Sequence, residues 1–232
     1  MTHMHGAAPP TAAGSAPPTA PPTAQVSAGT PSGRLLATLG GAGAFAGLLI
    51  VLVYQSTLPA IEAHRAAIAQ AAIAEVLRSP ARWDTLYLVN GALTKTPTGD
   101  ASKLERVYQG FDEDGTAIGV AIQGGEPGFV DVISVMFAID PEGGALLGLK
   151  ILSQKETPGL GDKIEKDTLF LKQFEGTKTP IRAVKSGTRR PPSQIDAITG
   201  ATISSRTVVK VINNSAARWQ PLIKAYLAGT KP

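Results

Sequence analysis

Cysteine is absent from all 232 residues, which removes disulfides, thiolate metal sites, iron–sulfur ligation and cysteine nucleophiles together. Histidine is scarce as well: His3, His5 and His64 are too scattered to build a histidine metal centre, and no other ligand set takes its place. No run of five Lys/Arg residues occurs and the net charge is only +4, so the sequence gives nucleic-acid binding no support. Charge is also missing from a whole region. Arg34 is the single charged residue before Glu62, and all the others follow in the C-terminal 171 positions. Any redox chemistry in this chain must therefore come from a bound organic cofactor. The lack of cysteine leaves the compartment open.

What is present divides into pieces of different material. Residues 1–33 are an Ala/Pro/Thr-rich arm holding seven of the 18 prolines and no aromatic, Leu or Ile residue. Such a segment cannot bury enough apolar area to offset the entropy of ordering, and it reads as disordered. Residues 35–54 then run for 20 positions without a charge. At about 1.5 Å per residue they span about 30 Å, the thickness of bilayer hydrocarbon. A transmembrane helix over 34–55 is expected, its Gly43 and Gly47 spaced for close helix contact. Arg34 on one side and Arg65 on the other leave its orientation undecided. Residues 56–103 read as a stalk helix and connection. Its amphipathic stretch begins at Leu58-Pro59, carries Ile61, Ile68, Ile73, Val76 and Leu77, and closes at Ser79-Pro80.

From 104 to 232 the apolar period shifts toward two. Strands are expected at 107–111, 117–122, 130–139 and 145–152, joined by Asp112-Glu113-Asp114-Gly115, Gly124–Gly128 and Asp140–Gly144. The short links require an antiparallel sheet. A short helix near 162–174, a further strand at 181–184 and a long helix at 202–227 complete an α+β domain with an antiparallel sheet and flanking helices.

Two stretches carry candidate chemistry. Glu156-Thr157-Pro158-Gly159-Leu160-Gly161 forms a tight loop at a strand end, which on its own is a strand-to-helix connection. Asp196-Ala197-Ile198-Thr199-Gly200-Ala201-Thr202-Ile203-Ser204-Ser205 stands directly before the long helix. Gly200 and Ala201 leave the backbone bare for a ligand. Thr202 falls in the first turn, where free N–H groups and the positive helix end favour phosphate. Thr199, Thr202, Ser204 and Ser205 supply four hydroxyls. The same residues also fit a plain Ser/Thr cap, and local chemistry leaves both readings open. No P-loop lysine and no Gly-x-Gly-x-x-Gly is present, which disfavours nucleotide hydrolysis and Rossmann binding.

Asp196-x-x-Thr199-Gly200-Ala201-Thr202 with Ser205 resembles the flavinylation motif of FMN-binding domains, and the Glu156–Gly161 loop resembles that family's companion motif. The pairing, spacing and single N-terminal anchor are similar to the RnfG family, the G-type component of Rnf (Rsx) ion-translocating electron transport complexes. The resemblance implies FMN bound covalently to Thr202 by a phosphoester that a separate flavin transferase makes. Thr199, Gly200, Ala201 and Ser205 would surround the phosphate, Glu156, Thr157 and Leu160 would border the ring, and Asp196 would serve recognition by the transferase. It also implies iron–sulfur and membrane subunits as partners, contact with the lipid bilayer, and an inner-membrane location with the flavin domain on the periplasmic side. An electron-carrying role in coupling ferredoxin–NAD electron transfer to ion translocation follows, with no net catalysis by the chain alone. Two alternatives stand beside it: a component like NqrC of the sodium-pumping NADH:quinone oxidoreductase, and a membrane-tethered, non-redox domain holding a phosphate ligand.

Overall fold

The computed structural model describes residues 32–142 and 144–230. The expectation of a disordered arm therefore lies outside the described residues, apart from Ser32 and Gly33, which are already helical. The chain divides into two compact units, Met1–Thr57 and Leu58–Pro232.

In the first unit the described residues belong to α1 (Ser32–Val76), a helix long and apolar enough to cross a bilayer. Leu36, Phe45 and Ile50 are all more than 60% exposed, as side chains facing lipid would be. The sequence suggests a fresh helix start at Leu58-Pro59, but α1 continues through Pro59 into the second unit. Proline removes one i→i−4 bond without ending the helix, because strong helix formers flank it on both sides.

The second unit is an antiparallel sheet between two helices. Its six strands are β1 (Arg82–Val89), β2 (Ala92–Thr94), β3 (Arg106–Phe111), β4 (Ala117–Pro127), β5 (Val132–Ile139) and β6 (Leu146–Ser153), in the order β2-β1-β3-β4-β5-β6. Every neighbouring pair is antiparallel, as the short links require. The sheet reaches further toward the N-terminus than residue 104, since β1 and β2 form a hairpin inside the stretch assigned to stalk and connection. Its turn is Asn90-Gly91, with φ of 50° and 82°, the pairing of residues that tolerates positive φ at both central positions. β4 also runs through Gly124-Gly125-Glu126-Pro127, which reads as loop in the sequence, because β5 pairs with it as far as Pro127–Val132.

β5 explains how the layers assemble. Successive side chains on a strand point to opposite faces. Ile133, Val135, Phe137 and Ile139 join the large core with Val208, Val211, Ile212, Trp219 and Ile223 of α4 (Thr202–Thr230). Met136 and Ala138 turn the other way, onto Ala72, Ile73 and Val76 of α1 and the following Leu77.

The short helix expected near 162–174 is two, α2 (Lys163–Lys166) and α3 (Thr168–Lys172). Asp167 separates them because its carboxylate accepts from the N–H groups of Leu169 (2.9 Å) and Phe170 (3.1 Å), starting a new helix instead of continuing the old. β7 (Arg182–Val184) does not join the sheet; it pairs in parallel with β8 (Gln194–Asp196), a strand too short to read from sequence. β8 delivers the chain to the start of α4.

Candidate functional site

Three segments meet where α4 begins: the loop after β4, the loop after β6 and the turn before Thr202. They enclose a cleft of about 350 Å³ lined by Phe129, Glu156, Thr157, Leu160, Gly161, Gly200, Ala201, Thr202, Ile203 and Ser204. The two sequence motifs thus face each other across one space. Larger grooves exist, of about 860 Å³ beside Arg65 and Trp83 and about 510 Å³ beside Glu105 and Arg218. Neither contains a motif hydroxyl, so the chemistry of the donors selects the smaller cleft over size.

The turn is built for close approach. Gly200 has φ of +85°, and a Cβ there would lie 3.3 Å from Leu160 Cδ2 on the opposite wall. Ala201 N–H donates to Ile198 O at 3.0 Å, closing the turn, and Ser205 N–H makes the first helical bond, to Ala201 O at 2.9 Å. Ala201 occupies the cap position with no side-chain oxygen, so the first-turn amides of α4 are left for another acceptor.

The four hydroxyls have separate fates. Ser205 is fully buried; its Oγ donates to Ala201 O (2.8 Å) and accepts from Ile198 N–H (3.1 Å), so it stands behind the turn and outside the cleft. Ser204 Oγ donates to Glu156 Oε2 at 2.6 Å. Thr199 is exposed but does not line the cleft. Thr202 is exposed within it, and its hydroxyl engages no hydrogen bond among the described residues. Of the four, Thr202 alone is both free and in place.

Glu156 lines the cleft while its carboxylate is occupied by protein donors: the N–H groups of Phe129 (2.9 Å) and Val130 (3.0 Å) on Oε1, and Ser204 on Oε2. Burial alone would raise its pKa. The Ser204 hydroxyl and the N–H groups of Val130, Phe129 and Asp131 outweigh that and hold the carboxyl below the ordinary glutamate value. Asp162, at the end of the same loop, is likewise held low, chiefly by Lys166 Nζ at 2.6 Å. Asp196 faces away: its Oδ1 accepts from Thr188 (3.1 Å) and Arg189 (3.0 Å) N–H groups and fixes the preceding loop.

The rim is apolar. Phe129 is 68% exposed, Ile203 52% and Leu160 48%. Such side chains gain from an aromatic ligand that covers them. Sequence reasoning misses Phe129 and Ile203 as site residues, although an aromatic residue directly after Pro127-Gly128 is a usable signal. Trp219, in contrast, is buried in the core and does not line this cleft.

An uncapped helix start, a free hydroxyl beside it and an apolar rim share this one cleft, and residues 128–217 match the family described as FMN-binding domain. Over 182 residues the chain is 25% identical to the G component of the ion-translocating oxidoreductase complex of Methanosarcina acetivorans, covering 78% of this chain and 91% of that protein. It is 33% identical over 125 residues to the G component of the Na(+)-translocating ferredoxin:NAD(+) oxidoreductase complex of Acetobacterium woodii, covering 53% of this chain and 58% of that one. The crystal structure of Shewanella oneidensis NqrC shares the fold, with a TM-score of 0.53 and 20% identity over 65% of this chain and 87% of that one.

Proposed function

We propose that this chain is a membrane-anchored electron carrier whose FMN is joined to Thr202 by a phosphoester, and that it works as a subunit of an Rnf-type complex coupling ferredoxin–NAD electron transfer to ion translocation. The observation that carries the reading is the free hydroxyl of Thr202, inside an apolar-rimmed cleft at the uncapped start of α4. When bound, the isoalloxazine supplies the electron chemistry, which a chain without cysteine cannot provide from its own side chains. The protein's share is to hold and shield the cofactor. Thr202 gives the ester oxygen, the first-turn amides of α4 face the phosphate charge, and Phe129, Leu160 and Ile203 offer the ring an apolar surface. A cleft of about 350 Å³ is at the lower end for small-molecule sites. A phosphoester tether keeps the cofactor from diffusing away while leaving the ring free of covalent distortion.

Partners in this reading are the other membrane and iron–sulfur subunits of the complex, a flavin transferase for maturation, and the bilayer around the first part of α1. The flavin domain lies on the periplasmic side of the inner membrane. The apolar helix carries no charge from Leu35 to Tyr54 and so offers no ion path, which assigns pumping to other subunits.

Intact mass on denatured protein, with in-gel flavin fluorescence, tests the attachment. Wild-type chain co-expressed with a flavin transferase gains the mass of FMN less one water, and Thr202→Val does not. An unmodified wild type sinks the reading. Co-purification with iron–sulfur-rich subunits separates an Rnf-type assembly from a sodium-pumping quinone reductase.

A further inference from the structure

Glu156 is 5% exposed at the back of the cleft, and the partners of its carboxylate belong to both walls. Phe129 and Val130 are in the loop after β4, and Ser204 is in the first turn of α4, two residues beyond Thr202. The backbone of Glu156 is anchored in turn, its N–H donating to Gln154 Oε1 at 2.8 Å while Gln154 Nε2 donates to Glu165 Oε2 at 3.0 Å. The chain has closed tightly around this group. A Cβ at Gly128 would lie 2.5 Å from Glu156 Oε1, and one at Gly161 would lie 2.6 Å from Glu156 Cβ. A buried carboxylate is costly to desolvate, and bonds to it from three protein donors fix geometry more firmly than neutral bonds would. Its charge is spent on protein, not aimed at a ligand.

We infer that Glu156 is a positioning residue for cofactor attachment: without touching the cofactor, it sets the separation between the Phe129 wall and the first turn of α4, and so presents Thr202 Oγ to the incoming phosphoryl group. This rests on Thr202 as the attachment point. The step it serves is a phosphoryl transfer from an activated FMN ester, such as a flavin dinucleotide. The Thr202 Oγ–P bond forms, the P–O bond to the phosphate leaving group breaks, the hydroxyl proton is released, and no electrons change hands.

The test uses the full chain in detergent with purified flavin transferase and a flavin dinucleotide donor, reading two quantities: the rate of flavin transfer and hydrogen exchange at the Phe129 and Val130 amides. Glu156→Ala removes the clip, with transfer about 10-fold slower or worse and a similar loss of protection at those two amides. Glu156→Gln keeps the shape, since its oxygen still accepts from the amides and its NH₂ can donate to a Ser204 hydroxyl turned to accept, so both readouts stay within about threefold of wild type. Ser204→Ala frees the helix arm alone: transfer slows while the amides of 129 and 130 stay protected. Exchange at the β5 amides monitors the fold throughout, and the Gln and Ser204 variants decide the matter if Glu156→Ala does not fold. Wild-type transfer rates in Glu156→Ala overturn the positioning role. So does a Gln variant as slow as Ala, which would make the charge itself the active feature. A wild type that takes no flavin overturns the Thr202 reading and this one with it, and is distinguishable because no variant comparison is then needed.

Discussion

Ser205→Ala separates two accounts of the motif. If Ser205 held the phosphate, its loss would lower flavin content and leave the apo fold untouched. The structure instead has Ser205 buried with its hydroxyl bonded on both sides, to Ala201 O at 2.8 Å and from Ile198 N–H at 3.1 Å. Alanine leaves the Ile198 amide without that acceptor, while Ala201 O keeps the bond from Ser205 N–H at 2.9 Å. One stranded buried donor costs about 1–3 kcal/mol. For a unit of this size, each kcal/mol lowers the melting temperature by about 2–4 °C, so a fall of about 2–12 °C is expected. Trp219 is 5% exposed on the same helix, and its fluorescence follows the melt of the domain directly. Thr202→Val is the internal control: its hydroxyl has no partner among the described residues, and surface changes of that kind stay within about 0.5 kcal/mol. The measurement is a thermal melt of flavin-free protein in detergent for wild type and both variants. A Ser205→Ala protein that melts with wild type yet fails to load flavin would refute the structural role and restore Ser205 as a ligand.

Two further outcomes follow from the same site. Gly200→Ala places a Cβ at φ +85° and 3.3 Å from Leu160 Cδ2, so it should cost about 1–2 kcal/mol and reduce flavin loading together, read by melt and by intact mass. Glu156 and Asp162 both have carboxyls held below their ordinary values, so their contribution is complete at neutral pH and disappears as pH falls through the lowered folded-state pKa values. The melting temperature should therefore drop on acidification from about pH 5 to about pH 3, and less steeply in Glu156→Gln; an unchanged slope in that variant would dismiss Glu156 as a contributor.

How much of this is legible in the sequence depends on how local each feature is. The apolar span, the order of the central strands, the antiparallel pairing and the long last helix all follow from patterns within a dozen residues. β1 escapes because it lies near the sheet edge with only Leu86 buried, so no period of two marks it, although Asn90-Gly91 signals its turn. Glycines 124 and 125 look like loop and are strand because β5 pairs with them, a partner no local pattern reveals. The same divide runs through the site. That Thr202 opens a helix is readable; that it is the available hydroxyl is not. Ser204 is withdrawn by a glutamate 48 positions away, and Ser205 by a turn whose closure depends on where β8 delivers the chain. Glu156 reads from its motif as a residue bordering a ligand, but its oxygens are committed to backbone amides that sequence cannot place.

The two-faced burial of β5 has a mechanical side. Met136 and Ala138 bear on the end of α1, while their immediate chain neighbours Val135, Phe137 and Ile139 bear on α4. One strand is thus the common mount for both helices, with a single peptide unit between one seat and the next. A load applied at the end of α1 reaches the seat of α4 without crossing a loop, and the stiffness of that path is the stiffness of a strand hydrogen-bonded on both sides, to β4 and to β6.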